Sequence, residues 1–144
     1  MSKLVHVTWQ RHRSFVATTD EGHVAAMDGG PDGMAMSPST LLLAALGGCV
    51  STTVIGVLEK KRQQISHFQV DVTGEQMPDW PKAYTHIHLT YKVRGTNIDP
   101  AAVARAIELA ETRYCTVSAS LNVPISHRVE ITEETHGEPT AQPA

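Results

Sequence analysis

Apolar and polar residues alternate over much of the first third of the chain, which is the pattern of half-buried strands. Val5, Val7 and Trp9 fall on one face of the first of these strands. Three strands are predicted in this part of the chain, over residues 5–9, 15–18 and 23–27. Residues 19–22 (Thr-Asp-Glu-Gly) form a turn between the second and third strands, and the glycine-rich stretch 28–33 is expected to be an exposed loop.

A long apolar helix is predicted next. Ser37 suits the N-cap, and Pro38 suits the first helical position, where its missing N–H costs nothing. The helix runs to Leu58, and residues 59–62 (Glu-Lys-Lys-Arg) close it with positive charges that favour the negative pole of the helix dipole. Residues 41–54 are apolar on nearly all sides, so we expect this helix to be buried, either within the domain or between subunits.

The second half of the chain contains two alternating segments, a second helix and a last strand. The predicted elements are strands over 67–75 and 84–93, a helix from Asp99-Pro100 to Tyr114, a short helical turn over 116–121 and a strand over 125–131. The order of elements predicts an α+β fold, with the helices segregated against antiparallel sheets. We expect one domain over residues 1–132, followed by a disordered tail over 133–144.

Composition and charge restrict the classes of function. With 144 residues, 41% hydrophobic and 19% charged, the chain is long and apolar enough to build a core. A net charge of −3 and an aromatic content of 5% do not indicate a protein that binds nucleic acid. The beginning of the chain lacks a secretory signal, and the apolar stretch 41–50 is shorter than the ~20 residues that span a bilayer. We therefore expect a cytoplasmic protein without a membrane or nucleic-acid partner.

Cys49 and Cys115 are the only cysteines. In a reducing compartment they are not expected to form a static bridge, so they are either inert core residues or chemically active. Cys49 lies in mid-helix, without the helix N-terminal field that lowers a thiol pKa, and local physics alone favours an inert residue. His86 and His88 alternate onto one strand face, but no third ligand stands at a recognisable spacing, and we predict no metal site.

Two segments change this picture. The first runs from Ser37-Pro38 to Gly47-Gly48-Cys49, and the second is Tyr114-Cys115-Thr116-Val117-Ser118-Ala119-Ser120-Leu121. Both, at matching spacing and order, resemble the two signatures of the OsmC/Ohr family, and the resemblance covers residues 5–131. The Gly-Gly before the first cysteine is more similar to divergent OsmC-like proteins than to true Ohr. The resemblance implies an intertwined homodimer with the long central helix buried at its interface.

The family chemistry assigns roles to both cysteines. Cys49 matches the peroxidatic cysteine and Cys115 the resolving one, so the resemblance implies a thiol-dependent peroxidase acting on organic hydroperoxides or hydrogen peroxide in oxidative-stress defence. A sulfenic acid on Cys49 would condense with Cys115 to a disulfide, and a dithiol reductant would reopen it. In the best-studied branch that reductant is a lipoyl-protein. No other cofactor is implied.

The family's thiolate is stabilised by an arginine that a glutamate holds. Arg11 and Arg13 are the candidates here, and each is also a plausible solvated turn residue. Ser39 stands where the family has the glutamate. Three outcomes are open: Asp28 or Asp32 replaces the glutamate, neutral hydrogen bonds hold the arginine, or the protein belongs to a branch with a different substrate.

The loop before the long helix carries Met34 and Met36. Together with Ser39 they are candidates for a substrate pocket, although methionines more often fill gaps in a core. The absent glutamate and these methionines motivate an alternative function on the same fold. In that alternative the protein binds an apolar small molecule, or senses oxidants, at the dimer interface without acting as an enzyme.

Overall fold

The computed structural model describes residues 1–135 and confirms an α+β fold. The strands are β1 (His6–Arg11), β2 (Ser14–Thr18), β3 (Val24–Asp28), β4 (Gln64–Gln76), β5 (Tyr84–Thr96) and β6 (Ile125–Glu133). The helices are α1 (Pro38–Lys60), α2 (Pro100–Leu109), a π-helical turn (Ala110–Tyr114) and α3 (Thr116–Ser120). The chain divides into two compact units, Met1–Ala44 and Ala45–Ala144. The prediction of one domain over 1–132 stays a prediction.

The first unit is built on an antiparallel meander of β1, β2 and β3 in that spatial order. Trp9 pairs with Phe15, and Phe15 pairs with Met27, so apolar side chains gather on one face of the sheet. No side chain among residues 1–44 is buried, and Val7 and Trp9 are 58% and 64% exposed. This sheet therefore lacks a core of its own within the chain.

The second unit contains the core. Its sheet has the order β4-β5-β6, so β5 is the central strand. Alternate residues of β5 are buried on one face of the sheet: Ile87, Leu89, Tyr91 and Val93. The buried helical residues lie on one stripe of α1 (Leu46, Val50, Val54, Leu58) and one stripe of α2 (Ala102, Val103, Ala106, Ile107).

One strand pair departs from the predicted antiparallel arrangement. β5 and β6 are parallel, with Ile87 opposite Ile125 and Gly95 opposite Glu133. The prediction of purely antiparallel sheets is wrong here, because the helical segment 100–120 returns the chain to the end of the sheet at which β5 begins. A strand that follows such a crossover runs in the same direction as the strand before it.

Local signals place the starts of α1 and α2 where they were predicted, whereas α2 ends at Leu109 and not at Tyr114. The Ser37 hydroxyl accepts a hydrogen bond from the Thr40 N–H at 3.3 Å, and the Asp99 carboxylate accepts one from the Ala101 N–H at 3.0 Å. The last strand was predicted to end at residue 131 but continues to Glu133. The Glu133 carboxylate accepts hydrogen bonds from the N–H groups of Asn97 and Ile98 at 2.9 and 2.8 Å. The rest of the predicted tail, residues 136–144, lies outside the described residues.

Helix α1 is more apolar than the stretch 41–50 alone suggests. It has 23 residues and a mean hydropathy of 2.2 over its most apolar window, so by length and composition alone it could cross a membrane. Its buried stripe is that of a core helix, but only 28% of the window is buried. Complete burial of α1 within the chain, one of the two sequence-based alternatives, therefore does not occur.

Candidate functional site

The second unit brings Cys49 and Cys115 together. Cys49 lies on α1 and is half-buried, whereas Cys115 follows the π-helical turn and is only 3% exposed. The two thiols are close enough for each to shift the pKa of the other. Of the catalytic residues predicted from the sequence, these two are the pair whose side chains meet.

The backbone around Cys115 explains its position. Its N–H donates to the Ala110 carbonyl at 2.9 Å, which closes the π-helical turn, and the residue itself is extended, with φ −80° and ψ 104°. Cys115 is also the N-cap of α3, because its Sγ accepts a hydrogen bond from the Ser118 N–H at 3.3 Å. The thiol is thus held at the junction of two helical segments.

Cys49 receives polar contacts that the sequence did not predict. The backbone N–H groups of Val117 and Thr116, at the start of α3, lie near its sulfur and act to lower the pKa of the Cys49 thiol. A hydrogen bond to the charged form of a group favours that form. A mid-helix cysteine can therefore be stabilised as a thiolate by the backbone of another segment, which no local sequence signal reveals.

The two thiols have different acidities. Burial and the neighbouring Cys115 raise the pKa of Cys49, and they outweigh the N–H groups of Val117 and Thr116. Burial also opposes ionisation of Cys115, but hydrogen bonds from Cys49 and Ser118 prevail, so the pKa of Cys115 is lowered. The first negative charge of the pair is therefore favoured on Cys115.

The candidate arginines belong to the first unit. Arg11 ends β1, Arg13 lies in the turn before β2, and both are exposed. Neither forms an ion pair within residues 1–135. Arg13 lines a cavity of about 360 Å³ together with Asp28 and Asp32, the two acids considered as replacements for the family glutamate.

The residues predicted for the substrate pocket are also in the first unit. Met34 and Met36 are 92% and 52% exposed, so within the chain they do not fill gaps in a core. Ser39 is exposed in the first turn of α1, and its hydroxyl lies 3.2 Å from that of Ser37. Their role toward a substrate stays a prediction.

A cavity that the sequence did not predict lies in the second unit. It has a volume of about 510 Å³ and a largely apolar wall, and two lysines belong to its lining. The lining residues are Thr52, Thr53, Gly56, Val57, Lys60, Lys61, Leu109 and Tyr114. On α1 the lining begins one turn after Cys49, and Tyr114 directly precedes Cys115. Its members come from distant segments that only the folded chain brings together.

The paired histidines on β5 contact a shared serine. Ser126 Oγ on β6 lies 2.8 Å from His88 Nδ1 and 2.9 Å from His86 Nε2. Across residues 1–135 no group of three or more His, Cys, Asp or Glu side chains could hold a metal ion.

Comparison with known proteins agrees with this architecture. The family model "OsmC-like protein" matches residues 30–130. Protein YhfA of Escherichia coli K12 is 36% identical over 127 residues, which cover 87% of this chain and 95% of that protein.

Solved structures share the fold. A hypothetical protein from Aquifex aeolicus VF5 superposes with a TM-score of 0.77 at 26% identity, covering 92% of this chain and 99% of that one. The organic hydroperoxide resistance protein OhrB of Bacillus subtilis superposes with a TM-score of 0.57 at 18% identity, covering 90% and 98%. With the two cysteine signatures and the matched model, these similarities show that the chain belongs to the OsmC-like protein family.

Proposed function

We propose that this protein is a thiol-dependent peroxidase that reduces hydroperoxides through Cys49 and Cys115. The observation that supports the proposal is that the fold brings the side chains of Cys49 and Cys115 close enough to influence each other's acidity, although the two residues are far apart in the sequence. A structurally related protein, OhrB of Bacillus subtilis, is an organic hydroperoxide resistance protein. The fold alone would not support a function, so the proposal rests on the cysteine pair.

The reaction would proceed in two steps. The Cys49 thiolate attacks one oxygen of the hydroperoxide, the O–O bond breaks, and the departing alkoxide takes a proton to become the alcohol. Sulfur is oxidised by two electrons and becomes a sulfenic acid. Cys115 then attacks the Cys49 sulfur, an S–S bond forms, and the departing hydroxide becomes water with the proton released by Cys115. A dithiol such as a lipoyl-protein would reduce the disulfide by exchange.

The acidity of the pair shows what the first step requires. Because burial and Cys115 raise the pKa of Cys49, the attacking thiolate needs more than the two N–H groups that face it. Arg11 or Arg13 would supply the missing positive charge, and a guanidinium can contact a thiolate and a peroxide together. We favour Arg13, because it shares a cavity with Asp28 and Asp32, which could hold it as the family glutamate does.

The protein would act as a homodimer in the cytoplasm, in defence against oxidative stress. The homodimer is supported by the uncovered apolar sheet of the first unit and by the small buried share of α1.

The direct test is hydroperoxide consumption in the presence of a lipoyl dithiol. We expect turnover by the wild type, loss of activity in Cys49→Ser and loss of multiple turnover in Cys115→Ser. One equivalent of an organic hydroperoxide should lower the intact mass of the wild type by two hydrogens. Cys115→Ser should instead gain one oxygen, which a sulfenic-acid reagent would trap. Equal turnover by wild type and Cys49→Ser would refute the proposal.

The second candidate function is binding of an apolar small molecule without catalysis. It is favoured by the cavity of about 510 Å³ beside the cysteines, whose largely apolar wall would suit such a ligand. Val57→Trp would fill this cavity, and Thr8→Trp on β1, at a residue that does not line it, is the control. Binding of a fluorescent fatty acid that Val57→Trp abolishes, in a chain that consumes no hydroperoxide, would favour this candidate.

A further inference from the structure

Three side chains meet next to Cys115 and take no part in the chemistry proposed above. Glu111, in the π-helical turn, accepts a hydrogen bond from the Tyr91 hydroxyl at 2.8 Å on one carboxylate oxygen. The other oxygen lies 2.9 Å from Nδ1 of His127. Tyr91 and His127 also contact edge to face, with ring centres 5.8 Å apart. We call these three residues the Glu111 cluster.

The cluster joins the core of the sheet to the segment that carries Cys115. Tyr91 is fully buried on the central strand β5, and His127 lies on the neighbouring strand β6. Glu111 is mostly buried, with only 17% of its side chain exposed. Burial, the charge of Glu111 and its hydrogen bond, and the nearby Cys115 together raise the pKa of Tyr91, so its hydroxyl remains a donor. The same interactions show that Tyr91 and Cys115 are electrostatic neighbours.

The geometry of the π-helical turn shows what the cluster holds in place. In an α-helix the Cys115 N–H would donate to the carbonyl of Glu111, four residues earlier. Here it donates to Ala110, five residues earlier, at 2.9 Å. The Glu111 carbonyl is thereby released and accepts a hydrogen bond from the Ser118 hydroxyl at 3.4 Å. Single π-type turns are rare and occur frequently at functional sites.

We propose that the Glu111 cluster positions Cys115 against Cys49 by holding this π-helical turn, and so sets the rate and the equilibrium of disulfide closure. Its chemistry rests on the proposed function, since the step concerned is the attack of Cys115 on the oxidised Cys49. Tyr91, Glu111 and His127 are positioning residues, because they act through the backbone of 110–115. Attack of Cys49 on the hydroperoxide does not depend on them.

The first experiment measures the disulfide equilibrium without any hydroperoxide. The chain is oxidised with diamide and equilibrated with dithiothreitol, and the fraction of the Cys49–Cys115 disulfide is read from intact mass. We expect Tyr91→Phe and Glu111→Ala to lower the equilibrium constant for closure about tenfold, which corresponds to ~1.4 kcal/mol. Glu111→Gln can still accept the hydrogen bond from the Tyr91 hydroxyl, so its equilibrium constant for closure should lie close to that of the wild type.

The matched control is Glu108→Ala. Glu108 is a carboxylate on the same helical segment, but it is exposed and pairs only with Arg105 at 2.7 Å on the surface. Its removal should leave the equilibrium within about twofold of the wild type, since surface ion pairs contribute little. Near-ultraviolet circular dichroism shows which variants keep the native packing, and Tyr91→Phe and Glu111→Gln conserve the shapes of the side chains they replace.

The second experiment separates the two steps in a single turnover with cumene hydroperoxide. Sulfenic-acid formation should remain within about twofold of the wild type in Tyr91→Phe, while disulfide closure slows about tenfold.

Natively packed Tyr91→Phe and Glu111→Ala variants with wild-type closure would overturn the role of the cluster. A wild type that forms no Cys49–Cys115 disulfide with diamide would overturn it as well. A wild type that ignores hydroperoxide but closes with diamide would refute only the peroxidase, and the dithiothreitol equilibrium would still decide the role of the cluster.

Discussion

Two cysteines of unequal acidity define the chemistry at the scale of single residues. Cys115 is buried and Cys49 is half-buried, and backbone N–H groups from the start of α3 act to lower the pKa of each thiol. The electrostatic interaction between them favours a single negative charge on the pair and disfavours a second one. Because the first charge is favoured on Cys115, Cys49 still has to be deprotonated before it can attack a peroxide.

This asymmetry predicts how each thiol titrates when its partner is removed. In Cys115→Ala the pKa of Cys49 should fall, because the thiolate that raises it is absent while the N–H groups of Thr116 and Val117 remain. In Cys49→Ala the pKa of Cys115 should rise, because the donor that lowers it is lost. The pH dependence of iodoacetamide alkylation and of thiolate ultraviolet absorbance measures both values.

The wild type serves as the reference for these titrations. One thiol per chain should ionise below the ordinary cysteine pKa of 9.0 and the other above it. If each remaining thiol keeps its wild-type pKa in both variants, the two sulfurs do not interact.

At the scale of elements, local chemistry decided what could be predicted. The caps at Ser37 and Asp99 are single-residue signals, and the alternation over residues 84–93 predicts the strand β5. The parallel pairing of β6 was not predictable in this way, because strand direction depends on where the crossover returns the chain. The π-helical turn 110–114 was missed because its register depends on Tyr91 and His127, which are distant in sequence.

In the candidate site too, the local sequence identifies some features, and only folding creates the others. Cys49 and Cys115 were identified by their flanking signatures, and the structure brings the two together. The N–H groups that face Cys49 and the cavity beside it come from segments that only folding brings near. Such contacts leave no pattern in the local sequence, so they could not be predicted from it.

The end of α1 offers a stability test at this scale. Arg62 has φ +55°, and the Arg62 and Gln63 N–H groups bond to the carbonyls of Glu59 and Leu58 at 2.9 and 3.0 Å, which is a Schellman motif. A residue with a β-carbon is strained in this conformation, so Arg62→Gly should raise the free energy of unfolding by about 1 kcal/mol. Urea denaturation followed by circular dichroism measures the change.

Lys61→Gly is the matched control for Arg62→Gly. The Lys61 N–H still donates to the Val57 carbonyl at 3.0 Å, as in a helix, and glycine there costs up to about 1 kcal/mol of backbone entropy. The two neighbouring substitutions should therefore move the midpoint of unfolding in opposite directions. A loss of stability in both variants would show that the Arg62 side chain has a stabilising contact that outweighs the strain.

At the scale of the whole molecule, the two units differ in burial, and the first unit needs a surface that covers its apolar face. The buried core lies entirely in the second unit, whereas the meander of the first unit has an apolar face without buried residues. Val5, Val7 and Trp9 are 54%, 58% and 64% exposed on that face. Sheets of three strands need a covered hydrophobic face to be stable. A second copy of this chain is the occupant that the family resemblance implies.

Val7→Asp tests whether this face is buried in a homodimer. A carboxylate taken out of water without a partner is costly, so we expect the variant to dissociate or to associate far more weakly than the wild type. The control, Thr8→Asp, puts the same charge on the opposite face of β1, next in sequence, and should leave the dimer intact.

Sedimentation velocity over a range of protein concentrations gives the mass of each species. We expect a two-chain mass for the wild type and Thr8→Asp, and a one-chain mass for Val7→Asp at low concentration. A monomeric wild type would refute the homodimer, and a Val7→Asp dimer as stable as that of the wild type would show that the partner covers a different surface.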